Sequence, residues 1–316
     1  MKLGIPKGLL YSKYHVFAET FFSELGAEIV VSPDTNKQTL DAGVKLCVDD
    51  ACLPIKVFHG HAAWLRHKCD AVLIPRFMTV EKKKYICPMF CGLPDMIARS
   101  IPGMPPLISE AVYSLDERNI FGWAVRSARI LTRSKSRIKK AFEYALSNQK
   151  QCEQGYNGKG FDYTVSLIGH SYNTDDTYIN MNLIRKLASM GIGVVTHEHV
   201  DTSNINDQVG KLFKQPFWYF AEQYYGAAVH LYKTGKIDGI VYISSFSCGV
   251  DSVVVELIRS AVHDFPFLLL KIDEHTGAAA FDTRLEAFAD MLERRAFIGN
   301  NRSKDGKHLP CGQGVV

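Results

Sequence analysis

Short apolar runs rich in β-branched residues alternate with helical segments along nearly the whole chain, and this rhythm constrains the fold most. The runs Ala71–Pro75 and Phe267–Ile272 are apolar on both faces, which is typical of strands buried in a parallel sheet. The segments between such runs are long enough for a crossover helix. The sequence therefore predicts an α/β fold in which helices cover both faces of parallel sheets.

The same rhythm divides the chain into two halves of similar architecture. The expected strands are Lys2–Ile5, Ala27–Ser32, Val44–Val48, Ala71–Pro75, Pro106–Ser109, Tyr163–Gly169, Gly193–Thr196, Gly239–Ser244 and Phe267–Ile272. The Gly-rich segment Gln154–Gly160 is the best domain boundary. We expect an N-terminal α/β lobe over residues 1–115, a helical linker over 116–160, and a C-terminal α/β lobe over 161–316 that ends in a loose tail.

Composition excludes several classes of protein. The 316 residues are 47% hydrophobic and 22% charged, as in ordinary globular proteins, and the net charge of +4 is too mild to indicate nucleic acid binding. No apolar run reaches the roughly 20 residues of a membrane span, and Met1 leads straight into a short strand without the pattern of a signal peptide. We therefore expect a cytoplasmic protein.

One segment is strongly basic. Between Asn119 and Phe142 the chain has seven basic residues and no acidic one. Such a run is typical of a solvated helix face. The alternative is a docking surface for an acidic protein or for the phosphates of a nucleotide-like ligand.

Eight cysteines in a reducing compartment favour metal binding or catalysis over disulfides for some of them. Cys52, Cys87 and Cys248 each lie between an expected strand and the helix that follows it. Because loops at the carboxyl ends of parallel strands share one edge of a sheet, we expect the three to converge. The positive helix N-terminus should also lower the pKa of each thiol and favour the thiolate that binds soft metals.

The spacing of the cysteines leaves the type of site open. Cys47 with Cys52 forms C-x4-C and Cys87 with Cys91 forms C-x3-C, and neither is the C-x2-C knuckle of a zinc site. Iron–sulfur clusters, which dispersed cysteines can hold, fit better. A third reading is a single catalytic cysteine paired with a histidine, for which His59, His61 or His275 is available.

The common nucleotide motifs do not occur in the sequence. It contains neither the G-x-x-x-x-G-K-[ST] phosphate loop nor G-x-G-x-x-G after the first strand. We therefore expect this chain neither to hydrolyse ATP nor to bind a dinucleotide itself.

Several short motifs carry a family resemblance. They are Gly4-Ile5-Pro6-Lys7-Gly8-Leu9-Leu10, Ala51-Cys52-Leu53-Pro54-Ile55-Lys56-Val57 with His59-Gly60-His61, Ile86-Cys87-Pro88 with Gly92-Leu93-Pro94-Asp95, Cys248-Gly249-Val250-Asp251-Ser252, and Ile272-Asp273-Glu274-His275-Thr276-Gly277. In these motifs the sequence resembles the 2-hydroxyacyl-CoA dehydratase superfamily, and most closely its activase-related branch.

The resemblance implies two doubly wound Rossmann-like lobes, joined by the helical segment, with an oxygen-sensitive cluster in the cleft between them. Carried over by motif, Cys52, Cys87 and Cys248 would hold a [4Fe–4S] cluster with one open iron. Cys47 and Cys91 would be additional ligands if the cluster were the larger [8Fe–9S] form of the double-cubane proteins. A separate ATP-dependent activase would donate the electrons.

On this resemblance we expect an iron–sulfur enzyme component of the dehydratase type, or alternatively a non-catalytic cluster carrier for a dehydratase partner. The expected assembly is a homodimer or a pair with a related second subunit, and an acyl-CoA or another small molecule is the expected substrate. Five residues are expected around the cluster, where they would tune it or take part in catalysis: His59, His61, Asp273, Glu274 and His275. A packing role for the first two and a turn for the last three are the simpler alternatives.

Overall fold

The computed structural model describes residues 1–81, 84–158 and 160–305. The N-terminal strands are β1 (Lys2–Ile5), β2 (Glu28–Val31), β3 (Ala71–Leu73), β4 (Arg76–Phe77), β5 (Thr79–Glu81), β6 (Lys84–Tyr85), β7 (Leu107–Ile108) and β8 (Ala111–Val112). The helices of this half are α1 (Tyr11–Glu24), α2 (Lys37–Leu46), α3 (Leu53–Leu65), α4 (Pro88–Ser100), α5 (Glu117–Ser127) and α6 (Lys135–Gln151).

The C-terminal half has fewer strands. They are β9 (Tyr163–Ile168), β10 (Ile192–Val195), β11 (Gly239–Ser245) and β12 (Phe267–Ile272). Its helices are α7 (Ser171–Thr174), α8 (Leu183–Ser189), α9 (Thr202–Val209), α10 (Tyr219–Lys233), α11 (Gly249–Val262) and α12 (Ala278–Asp305). The expected loose tail lies mostly beyond residue 305, and so with Cys311 it falls outside the described part of the chain.

Each half is built on a four-stranded parallel sheet. The strand order is β2-β1-β3-β7 in the first sheet and β10-β9-β11-β12 in the second, so the two orders correspond strand for strand. The chain order reverses next to β1 in one lobe and next to β9 in the other, and ligands of doubly wound sheets bind at such points. The predicted α/β fold with two Rossmann-like lobes is confirmed.

The two lobes share a continuous apolar core. Leu9, Ile55 and Phe90 of the N-terminal lobe belong to the same buried cluster as Phe220 and Tyr224 of the C-terminal lobe. Helix α3 reaches furthest across, because its residues Leu53 and Val57 are buried in the core of the second lobe. Helix α3 is therefore held by both lobes.

Helices α5 and α6 pack on the N-terminal lobe. The rings of Phe17 and Phe142 meet edge to face with centroids 5.6 Å apart, and Trp123 meets Phe22 in the same way at 6.3 Å. The helical segment predicted between the lobes thus covers one face of the first. The division at residues 116 and 160 stays a prediction.

The strand expected at Val44–Val48 is wrong. The structure has helix α2 there, from Lys37 to Leu46. The Asn36 side chain accepts a hydrogen bond from the Thr39 N–H and caps this helix, and its apolar face packs against α3. The run from Val44 to Val48 is therefore the end of an amphipathic helix followed by a turn, and Cys52 follows a helix and not a strand.

Two other helices begin next to a cysteine. Helix α4 starts at Pro88, and α11 starts at Gly249. In the described part of the chain, no helix is both long enough and apolar enough to cross a membrane.

The contact between α2 and α3 depends on two glycines. A Cβ atom added to Gly60 would lie 1.9 Å from the Thr39 carbonyl oxygen, and one added to Gly43 would lie 1.9 Å from the Lys56 carbonyl oxygen. Backbone atoms cannot move aside as the end of a side chain can. Only glycine permits the two helices to approach this closely.

We predict that Gly60→Ala lowers the free energy of unfolding by about 3 kcal/mol, because α2 and α3 must separate to admit the methyl group. Gly92→Ala is the matched control, since it is also a helical glycine and no atom lies within 4 Å of its added Cβ. The free energy of unfolding of the control should rise by up to about 1 kcal/mol, because alanine has a higher helix propensity than glycine. Urea unfolding of both variants measures the difference, and equal stabilities would contradict the prediction.

Candidate metal centre

Three cysteines begin three helices at one place between the lobes. Cys52, Cys87 and Cys248 are the N-cap residues of α3, α4 and α11, and none of these helices has a side-chain cap. All three cysteines line one interlobe cavity. The structure thus brings together the residues that the sequence singled out as ligands, although their role as ligands stays a prediction.

The cavity also contains a histidine that sequence reasoning missed. His170 follows β9 after a single glycine, Gly169, and is 5% exposed. Its Nε2 lies 3.3 Å from the Asp251 Oδ1, and its Nδ1 lies 3.0 Å from the hydroxyl of Tyr224. Its position after a strand is the signal that drew attention to the cysteines, so the same rule could have found it.

Asp251, one turn into α11, is completely buried behind the cavity. Its Oδ1 accepts a hydrogen bond of 2.8 Å from the Tyr242 hydroxyl. Within the described chain, its Oδ2 has no hydrogen-bond partner. One ligand atom each of His170, Cys248 and Asp251 lies within 4.8 Å of the others. These three side chains alone could hold a metal ion.

Electrostatics links His170 with Asp251. Burial by itself lowers the pKa of His170, but the carboxylate of Asp251 and the nearby Cys248 overcome this and raise the pKa to about 9. The charge of His170 in turn holds the pKa of Asp251 below its ordinary value, against the opposing effect of burial. At neutral pH the pair is an imidazolium and a carboxylate, which is how two buried ionisable groups avoid a free charge.

The thiols respond to burial more than to the helix ends. Burial raises the pKa of Cys52 to about 11, against the opposing effect of the Ile55 N–H, and it also raises the pKa of Cys87. The expectation that a helix N-terminus lowers these pKa values is wrong for both residues, because desolvation disfavours the thiolate more than the helix dipole stabilises it. A metal that binds here must displace the protons.

The size and the donor groups of the cavity decide which metal it could hold. Together with its open mouth, the cavity has about 460 Å³ of space free of protein atoms. Convergent thiols, an adjacent imidazole and the unpaired oxygen of Asp251 are suited to a metal. Thiolates of dispersed cysteines are the ligands that hold iron–sulfur clusters, so the donor set also fits such a cluster.

Backbone strain occurs beside the cavity. Leu9, which lines it, has a φ of 51°, and Ser247, directly before Cys248, has a φ of 68°. Such left-handed conformations are uncommon for side chains other than glycine and cost about 1–3 kcal/mol each. Leu9 lies in the loop after β1 and Ser247 in the loop after β11, so both strained residues are next to the cavity.

The other predicted site residues lie elsewhere. Among the described residues that line the cavity there is no His59, His61, Asp273, Glu274 or His275, and neither Cys47 nor Cys91. The Cys91 thiol lies 3.4 Å from the Met78 sulfur, and Cys47 is the C-terminal cap of α2. Their roles as additional ligands stay predictions that this geometry does not favour.

The two histidines of α3 are buried, and both make hydrogen bonds within the protein. The Nδ1 of His59 lies 2.7 Å from the Ile55 carbonyl oxygen. The Nδ1 of His61 lies 3.0 Å from the Ser32 hydroxyl, and its Nε2 lies 3.0 Å from the hydroxyl of Thr35. These contacts are typical of packed histidines.

The acidic run after β12 forms a turn and a bridge between lobes. The Oδ1 of Asp273 accepts hydrogen bonds from the His275 N–H and the Thr276 hydroxyl. Glu274 pairs with Lys56 of α3 at 2.5 Å, and both side chains are largely buried. The run therefore fixes α3 against the second lobe, which positions Cys52.

Comparison with known proteins identifies the family. Residues 2–200 match the family model described as CoA enzyme activase uncharacterised domain, DUF2229. The chain belongs to this family. Because the match includes Cys52, Cys87 and His170, most of the candidate centre lies in the activase domain itself.

The other comparisons add little. A search of curated proteins found no match. One solved structure, a Yersinia pestis protein described as an Asp/Glu racemase, is 14% identical to this chain. The alignment covers 92% of this chain and 98% of the racemase chain, with a TM-score of 0.22. So low a TM-score supports no argument about this chain.

Membership of the activase family corrects the expected function. The chain was expected to be an iron–sulfur component of the dehydratase type that accepts electrons from a separate activase, or a cluster carrier for a dehydratase. That expectation is wrong, because the family describes the activating protein and not the enzyme that it activates. A second activase as electron donor is excluded for the same reason.

We predict that the stability of the protein depends on the protonation of His61. Burial, with a contribution from the charge of Lys7, lowers the pKa of His61 to about 4 from 6.5. Between these values the unfolded chain binds more protons, so the free energy of unfolding falls as the pH decreases from 6.5 to 4. A shift of this size corresponds to about 3 kcal/mol.

Urea unfolding at pH 7 and pH 4.5 measures this dependence. His61→Gln should have a flatter pH profile than the wild-type protein, and His275→Gln, which replaces an exposed histidine, should retain the wild-type profile. If the profile of His61→Gln matches that of the wild type, His61 does not control this part of the acid sensitivity.

Proposed function

We propose that this chain is the metal-binding component of a CoA enzyme activase. In this proposal it binds a [4Fe–4S] cluster between its lobes through Cys52, Cys87 and Cys248, and it takes part in converting a partner CoA enzyme to its active form. The observation that carries the proposal is the convergence of three helix-capping cysteines on one interlobe cavity. The family description supports the activating role.

The residues of the chain have separate tasks. The three cysteines hold the cluster, and the N-termini of their helices stabilise its negative charge once the thiols are deprotonated. The imidazolium of His170 places a positive charge at one wall of the cavity, and Asp251 keeps it charged. The aromatic side chains of Tyr172, Trp218 and Phe220 exclude water from the cavity. When bound, such a cluster supplies one-electron chemistry.

The proposal assigns the small cluster and not the larger one. The cavity is narrow, and Cys47 and Cys91, which a double-cubane cluster would need, do not line it. The proposal also assigns no ATP hydrolysis to these residues, because the sequence has no phosphate loop. We also propose that the chain is related to the 2-hydroxyacyl-CoA dehydratase superfamily and that the activated partner is a dehydratase. This part of the proposal rests on the cysteine motifs and the Gly-Leu-Pro-Asp motif.

Anaerobic reconstitution with iron and sulfide tests the proposal. We expect about four irons and four sulfides per chain, with an EPR signal in the reduced protein. Cys52→Ser, Cys87→Ser and Cys248→Ser should each lose most of the iron. Cys69→Ser and Cys152→Ser are matched controls outside the cavity and should retain it. A colourless wild-type protein that binds zinc in place of iron would refute the cluster.

The same variants test the activating role. In an assay of CoA enzyme activation, the three ligand variants should be inactive and the two controls active. Loss of the cluster without any loss of activation would separate metal binding from the proposed role. If Cys47→Ser and Cys91→Ser also lost iron, the larger cluster would be favoured.

A second candidate function rests on the grouping of Cys248, His170 and Asp251 within 4.8 Å. A thiol, a histidine and a carboxylate are the side-chain types of cysteine nucleophiles in acyl transfer, and for that role the Nδ1 of His170 would have to exchange the Tyr224 hydroxyl for the thiol. This alternative replaces the histidines first considered as partners with His170. It requires only Cys248, so an iron-free Cys52→Ser variant that retained full activity would favour it.

A further inference from the structure

The basic segment contains a cavity that the proposed metal centre does not use. Arg129, Arg133 and Lys135 line it, together with Thr132 and the apolar side chains Val125 and Ile138. Its volume is about 380 Å³, which is within the range of small-molecule sites. The cavity lies between the end of α5 and the beginning of α6, on the surface of the N-terminal lobe.

The three cations of this cavity are exposed and have no acidic neighbour. Among the described residues, no carboxylate lies within 4 Å of Arg129, Arg133 or Lys135. Other cations of the segment are paired, for example Arg126 with Glu110 at 3.3 Å and Lys139 with Glu143 at 3.7 Å. Arg137 and Lys140, outside the cavity, are also exposed and have no carboxylate partner among the described residues, so the cavity holds three of the five unpaired cations of this segment.

A helix N-terminus adds to this positive charge. Helix α6 has 17 residues and begins at Lys135. The Ser134 side chain accepts a hydrogen bond from the Arg137 N–H, and its carbonyl oxygen accepts one from the Ile138 N–H. In the described structure the N–H groups of Lys135 and Ser136 have no protein acceptor. Such groups bind phosphate in many proteins.

We propose that this cavity binds the diphosphate group of a small molecule. The three cations of the cavity match the roughly three negative charges of a diphosphate, and two arginines can each bind phosphate oxygens through two N–H groups. The cavity is larger than a diphosphate alone, and Val125 and Ile138 provide an apolar wall for the organic part of the ligand. This site is independent of the cluster and of the proposed activating role.

Titration calorimetry with inorganic pyrophosphate tests this inference. The variants are Arg129→Gln with Arg133→Gln in the cavity, and Lys139→Gln with Lys140→Gln as a control that removes the same charge from the same segment outside the cavity. The wild-type protein and the control should bind pyrophosphate equally. The affinity of the cavity variant for pyrophosphate should fall by about tenfold or more, because this variant loses charged hydrogen bonds. Sulfate at equal ionic strength should bind more weakly than pyrophosphate.

Each other outcome overturns the proposal. Equal weakening in both double variants would mean that the basic helices attract anions in general. Unchanged binding in the cavity variant would place pyrophosphate elsewhere on the protein. No measurable binding to the wild-type protein would leave the segment as a solvated face or a docking surface for an acidic protein. Thermal unfolding of all variants verifies that they fold, and since the replaced side chains are exposed we expect no change there.

Discussion

Convergence of three helix N-termini on one cavity is the constraint on which the rest of the structure depends. The first N–H groups of a helix have no partner within it, and α3, α4 and α11 begin without a side-chain cap. Pro54 and Pro88 reduce the problem by removing one N–H each. The remaining positive ends favour an anion, whereas burial holds the thiols of Cys52 and Cys87 in their neutral form. A metal that converts these thiols to thiolates satisfies both demands at once.

The position of Cys52 depends on contacts far from the cavity. Gly43 and Gly60 let α2 pack directly against α3, and the pair formed by Lys56 and Glu274 ties α3 to the second lobe. Residues of α3 are buried in the cores of both lobes. A shift of α3 along its axis would therefore break close helix packing, an ion pair and two apolar contacts together. Gly43, Gly60 and Glu274 thus help to position Cys52, although none of them lines the cavity.

Much of this arrangement could be predicted from sequence because it follows from sheet geometry. Buried parallel strands were recognisable as apolar runs, and the carboxyl end of β11 places Cys248 at the edge of the second sheet. Cys87 follows the antiparallel hairpin of β5 and β6 in the other lobe, so packing between the lobes, and not one sheet edge, brings it to Cys248. Sheet geometry does not explain why Cys52 lies at the cavity, because helix α2 and not a strand precedes it. The sequence signal for His170 was present but weak, because one histidine after a strand is usually a packing residue. Burial of the thiols, which determines their pKa, was not visible in the sequence at all.

The error about function has a physical cause as well. The motifs around Cys52, Cys87 and Cys248 encode helix ends and interlobe packing, and these build the same cavity whichever partner the protein serves. Whether a protein gives electrons to a CoA enzyme or is itself that enzyme depends on surfaces and cavities outside those motifs. Related cavities can therefore occur on both sides of an activation reaction. The basic cavity beside α6 lies outside every motif that carried the resemblance, so those motifs carry no information about what it binds.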